Sequence, residues 1–143
     1  MNKITIEISR TDADYRMEAV NEKGNAIVMD AGVADGGRDS GFRPMQLLLA
    51  ALGGCSAIDL IAILRKQREP LQDLKITVTG VRQPGEIPAL FTEVHAHFKI
   101  FGAVDEQKAA RAADLAVNKY CSVAKTLEKT ARISHSFEII NPA

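Results

Sequence analysis

"LLLAALGGCSAID", residues 47–59, is the stretch on which the fold turns. Leucine and alanine fill it, so it reads as a buried helix. Yet it holds Gly53 and Gly54 side by side, and each glycine costs a helix interior roughly 1 kcal/mol against alanine. They stand beside Cys55, one of only two cysteines in the chain. Missing bulk lets another backbone, or a substrate, come close. Plain helix–helix contact explains the same pair of glycines. The helix around them opens with Pro44 at a favourable first position and is expected to run to about Arg68, on the order of 37 Å. Its first half is apolar nearly all round, which predicts burial on all sides. Its second half, "IAILRKQREP", turns polar and stops before Pro70. The apolar run proper, Leu47 to Ile58, is too short to span a bilayer.

Working outward, 143 residues suit a single domain, 1–143. Lysine plus arginine and aspartate plus glutamate number 18 each, so the net charge is zero. No basic field calls for nucleic acid or an acidic membrane. "MNKITIEISR" lacks the apolar core of a signal peptide, so the expected location is cytoplasmic. In that compartment cysteines rest reduced unless catalysis or stress oxidises them.

Upstream of the helix, "KITIEIS" alternates Ile4, Ile6 and Ile8 with polar residues, a half-buried strand. "DYRMEAVN" and "AIVMDA" continue an antiparallel meander around the turn "NEKGN". "GVADGGRDSGFRP" is too rich in glycine and charge for regular structure and reads as a flexible loop. Downstream, "LKITVTGV" and "FTEVHAHFKIFG" are strands, the second with Val94, Ala96, Phe98 and Ile100 inward. Asp105 caps a helix, "EQKAARAADLAVNKY". A short helix starts at or just after Cys121. "ISHSFEII" is a closing strand, with Ile133, His135, Phe137 and Ile139 on one face. The order βββ-α-ββ-αα-β is an α+β pattern.

The chemistry rests first on the thiols. Cys55 and Cys121, 66 residues apart, fit no zinc-finger or CxxC spacing. Both could be small buried hydrophobes. Against that, Cys121 sits at a helix start, where free N–H groups favour a thiolate, and Cys55 has glycine clearance. Arg38 and Arg43, in the loop before the helix, are either solvated charges or cations that lower a sulfur's pKa. Asp59, at i+4 from Cys55, acts the other way. His95 and His97 share one face of a strand with Glu93 and Lys99. Spacing indicates no third ligand, so that face reads as solvated and no metal is expected. His135 reads as a core histidine. No phosphate loop or serine elbow is present.

Two of these segments carry a resemblance. "RPMQLLLAALGGCSAIDL", followed later by "CSVAKTL", resembles the OsmC/Ohr family of osmotically inducible and organic hydroperoxide resistance proteins. That family has a proline-initiated "NPEELLxAAxAxC" helix and a later "CPVSxxL" helix start. Pro44, Leu47 and Cys55 match the first motif, with Arg43 in place of asparagine. Cys121, Val123 and Leu127 match the second, with Ser122 in place of proline. The resemblance implies an intertwined homodimer with long central helices packed together. It also implies a two-cysteine peroxidase that takes organic hydroperoxides and needs no cofactor. Cys55 would be the peroxidatic thiolate and Cys121 the resolving thiol, with an external dithiol as reductant. An arginine of the loop, Arg38 or Arg43, would assist the sulfur. The family's glutamate position holds Met45 here, so no carboxylate carries over. A binding protein for a small apolar ligand, and a thiol sensor or sulfur-transfer protein, are the alternative functions.

Overall fold

A computed structural model of the protein describes residues 2–141. Three strands come first: β1 (Glu7–Arg10), β2 (Met17–Val20) and β3 (Ala26–Met29). Helix α1 (Pro44–Lys66) follows, then β4 (Asp73–Arg82) and β5 (Phe91–Phe101). Helices α2 (Glu106–Leu115) and α3 (Ser122–Leu127) precede the last strand, β6 (Arg132–Ile140). This is the α+β order read from the sequence. The chain forms two compact units that divide between Leu48 and Leu49, inside α1.

The N-terminal unit is an antiparallel β1-β2-β3 sheet, with Ile8 opposite Ala19 and Met17 opposite Met29. The side chain of Asn21 shapes the β2–β3 turn, its Oδ1 accepting from the N–H groups of Lys23 and Asn25. Strand β1 is shorter than the alternating pattern suggests. The apolar residues of the alternating stretch are not half-buried: Ile4, before the strand, is 84% and Ile8, within it, 59% exposed. Alternation marks which residues share a face, and among the described residues nothing covers this one.

The glycine-rich segment after β3 is more ordered than its composition predicts. Asp30, 3% exposed, folds it around its carboxylate. Oδ1 accepts from the N–H of Ala31 at 2.8 Å. Oδ2 accepts from the N–H of Arg38 at 3.2 Å, the N–H of Ser40 at 3.1 Å and Ser40 Oγ at 2.7 Å. A single 3₁₀ turn, Val33–Asp35, ends at Gly36, whose φ of 95° needs a glycine. The Ser40 hydroxyl, aided by the three backbone donors, lowers the Asp30 pKa from 3.8 to about 2.

A carboxyl whose pKa falls on folding stabilises the fold above its unfolded value and loses that effect as pH drops through the folded value. The segment should therefore hold above pH about 4 and loosen between about 4 and 2. Amide exchange at Arg38 and Ser40 reads this directly. Asp30→Asn should leave these amides poorly protected already at neutral pH. Unchanged protection in that variant would mean that the turn holds itself without the carboxylate.

In the C-terminal unit, β4 pairs antiparallel with β5, and β5 pairs parallel with β6. The parallel partner returns through α2 and α3, as a parallel connection requires. Val94, Ala96, Phe98 and Ile100 of β5 are buried, as their alternation predicts. Asp105 caps α2 by accepting from the N–H of Lys108, and Ala109, Ala112 and Ala113 line its buried seam. One wide turn, closed by the Cys121 N–H on the Ala116 carbonyl at 2.9 Å, separates α2 from α3.

Helix α1 departs from the expected burial on all sides. Leu52, Gly53, Ser56, Leu60 and Leu64 are buried, whereas Ile58 is 71% exposed. The reason is geometric: β4 comes up against α1 at Gly53 and Leu49, and Cys121 reaches it at the Leu52 carbonyl. A Cβ on Gly53 would stand 2.9 Å from Val78 Cγ2, so the first glycine is explained by close approach of the strand. No atom lies within 4 Å of a Cβ on Gly54. By length and composition alone the 23-residue helix could cross a membrane, which the shorter run Leu47–Ile58 did not suggest. Five of its residues, Leu52, Gly53, Ser56, Leu60 and Leu64, are buried within its own protein.

Candidate thiol site

The local sequence explains how each thiol is placed. Cys121 ends the wide turn and serves as the N-cap of α3, with its Sγ accepting from the N–H of Ala124 at 3.3 Å. Its thiol points to the Leu52 carbonyl of α1, at 3.9 Å. Leu52 is three residues before Cys55, and the Cys55 thiol neighbours Cys121 closely enough to act on its proton equilibrium. The fold thus sets side by side two cysteines that are 66 residues apart, and both are free. Cys55 is half-buried and Cys121 fully buried.

Burial pushes the Cys121 thiol above its usual range, and the Cys55 sulfur pushes it the same way. The Ser56 hydroxyl and the N–H of Ala124 oppose this and do not win. The helix start at Cys121 taken alone predicts the opposite sign. Helix α3 is six residues long, too short to outweigh the loss of water around the sulfur. Ser56 Oγ is buried near the Cys121 sulfur without a well-formed hydrogen bond. Such a group costs about 1–3 kcal/mol when left unpaired. Sequence reasoning passed over Ser56. The available signal was a serine at i+4 from Leu52 and i−4 from Leu60, on the buried stripe.

Arg38 and Arg43 belong to the N-terminal unit, and each has a carboxylate partner there. Arg38 Nη2 lies 3.6 Å from Asp14 Oδ2 with both side chains well exposed, a pair of little energetic weight. Arg43 bonds Asp39 through Nη1 and lies against Gly32, where a Cβ would meet its Nη2 at 2.6 Å. Asp39 raises the already high pKa of Arg43 further. Gln46 is a second residue that the sequence reading missed. Its Oε1 accepts from the N–H of Arg43 at 3.0 Å, the back-reaching half of a capping box at the start of α1. Asp59 Oδ2, one turn beyond Cys55, is buried without a hydrogen bond among the described residues. Among those residues no group of three or more His, Cys, Asp or Glu could hold a metal ion.

Residues 37–136 match the family described as OsmC-like protein. The chain is 42% identical over 118 residues to Protein YhfA of Escherichia coli strain K12, covering 82% of this chain and 84% of that one. A hypothetical protein from Aquifex aeolicus has the same fold over the full length of both chains, with a TM-score of 0.86 and 26% identity. The organic hydroperoxide resistance protein OsmC of Legionella pneumophila superposes with a TM-score of 0.73 at 14% identity, over 96% of this chain and 98% of that one. That last likeness is one of fold.

Proposed function

The chain belongs to the OsmC-like protein family, and from that premise we propose that it is a thiol-dependent peroxidase of organic hydroperoxides. The observation that carries the proposal is the pair of neighbouring free thiols, one half-buried and one buried. In this reading the Cys55 thiolate attacks the terminal oxygen of a hydroperoxide. An S–O bond forms, the O–O bond breaks and the alkoxide leaves, taking a proton to become the alcohol. Sulfur is oxidised to a sulfenic acid. The Cys121 sulfur then attacks Cys55, an S–S bond replaces the S–O bond, and water leaves. An external dithiol returns both thiols. The raised pKa of Cys121 suits the later role, because a resolving thiol need not be ionised when the peroxide arrives. An arginine of the loop, Arg38 or Arg43, is the assisting cation in this reading. The chain acts as one domain in the cytoplasm, as an intertwined homodimer.

The test is chemical. Stoichiometric cumene hydroperoxide should lower the intact mass by two hydrogens within one chain, and peptide mapping should join Cys55 to Cys121. Persistent free thiols, or bridges only between chains, would defeat the mechanism.

A second reading draws on Met45 and on the engagement of Arg38 and Arg43 with Asp14 and Asp39. A site without the carboxylate at 45 suits a binding protein for a small apolar ligand, or a thiol sensor. Catalytic consumption of peroxide with a dithiol excludes both; a ligand retained in native mass spectra favours the first.

A further inference from the structure

The outward face of β5 and β6 carries a hydrogen-bonded chain that the thiol chemistry does not use. His95 Nδ1 lies 2.7 Å from Ser134 Oγ, and His95 Nε2 lies 2.8 Å from Ser136 Oγ. His97 Nδ1 lies 2.7 Å from the same Ser136 Oγ, and His97 Nε2 lies 3.1 Å from Glu138 Oε1. The register explains the order, since His95 pairs with Ser134, His97 with Ser136 and Lys99 with Glu138. Each ring nitrogen therefore has a partner, and two nitrogens of different rings converge on one hydroxyl.

The hydrogens follow from the acceptors. The Glu138 carboxylate can only accept, so His97 donates from Nε2 and its Nδ1 is bare. Ser136 has one hydrogen to offer. With both rings neutral, Ser134 donates to His95 Nδ1, His95 Nε2 donates to Ser136, and Ser136 donates to His97 Nδ1. Moving the His95 proton to Nδ1, where Ser134 Oγ can accept it, bares Nε2 as well. No proton leaves the protein, and two lone pairs then face one point.

We propose that His95 Nε2 and His97 Nδ1 form a surface site for a borderline divalent metal ion of the Zn²⁺ type, which takes the point that Ser136 Oγ now fills, the hydroxyl turning aside and water completing the coordination. Imidazole nitrogen suits such ions. Zinc binds it at about 2.0–2.1 Å, so each ring has to close on the shared point by about 0.7 Å. The outer partners are already those of ligand histidines, which give their second N–H to a carboxylate or another acceptor. Both rings stand on β5, which is paired on both sides and holds them more firmly than a loop would. The cations on this face include Lys99 and, opposite it on β4, Lys75. Lys99 Nζ is 3.9 Å from Glu138, Arg132 is paired with Glu93 at 2.9 Å, and Thr77 and Thr79 of β4 lie opposite His97 and His95 in the sheet.

The chain has three histidines, so ring ¹⁵N spectra resolve the site and are blind to zinc on the thiols. Titration of the wild-type protein with ZnCl₂ should move His95 Nε2 and His97 Nδ1 together to metal-bound shifts, leaving His135 unmoved. His95→Gln should abolish the His97 shift, and His97→Gln the His95 shift. Glu138→Gln, which keeps both ligands, should weaken binding roughly tenfold. No shift at millimolar zinc would overturn the proposal. So would parallel movement of all three histidines, or a response at either ring that survives loss of the other.

Discussion

Cys55→Ser is expected to abolish turnover of alkyl hydroperoxides, by on the order of 10³-fold or more, while Cys121→Ser keeps a single turnover and stops at a sulfenic acid. The asymmetry follows from the surroundings of the sulfurs. The half-buried Cys55 can be reached by a peroxide, whereas Cys121 is buried and its thiol is held protonated by that burial. A serine hydroxyl at 55 stays protonated and attacks no peroxide oxygen. Removing Cys121 leaves the first step intact and the second without its nucleophile. Single-turnover stopped flow, with dimedone trapping of the sulfenic acid, measures both. Equal first-turnover rates in the two variants would erase the assignment. A sulfenic acid trapped on Cys121 in Cys55→Ser would reverse it.

The second large effect concerns assembly. The exposed part of α1 includes Leu48 and Ile58, and Ile4, Ile6 and Ile8 are exposed in the N-terminal unit. A single surface isoleucine needs no explanation, but an open row on a long apolar helix asks for a partner. A second copy is the occupant that the family resemblance implies. Burying one isoleucine is worth about 1.5–3 kcal/mol, and a twofold interface counts it twice. Ile58→Glu should therefore weaken the dimer by at least about 100-fold and shift sedimentation at micromolar concentration toward monomer. A wild-type protein that sediments as a compact, stable monomer would refute the dimer.

What the sequence made legible, and what it did not, divides along physical lines. The alternation in β5 identified its buried residues, because one side of that strand is the core. The same alternation in β1 misled, because it says which residues share a face and not whether the chain itself covers that face. Asp105 was readable as a cap, since capping acts over three residues. Asp30 was not, since its bonds reach eight and ten residues ahead to Arg38 and Ser40 through backbone groups that leave no mark on composition. The cysteine motifs pointed to both thiols, but only the fold shows burial reversing the expected sign at Cys121. The histidines looked solvated because the serines that link them, Ser134 and Ser136, lie on a strand some forty residues further along the sequence.

The parallel pairing of β5 with β6 also orders events in time. Every pair in that ladder joins residues 39 positions apart, from Glu93 with Arg132 to Phe101 with Ile140. Such ladders form slowly, because a long excursion has to close before any pairing is gained. Cys121 lies within the excursion, so its place beside Cys55 depends on a strand that is synthesised after it. A chain still in synthesis holds both sulfurs and no built site. Oxidant that reaches it then meets two independent thiols, and the couple comes into being only when β6 docks.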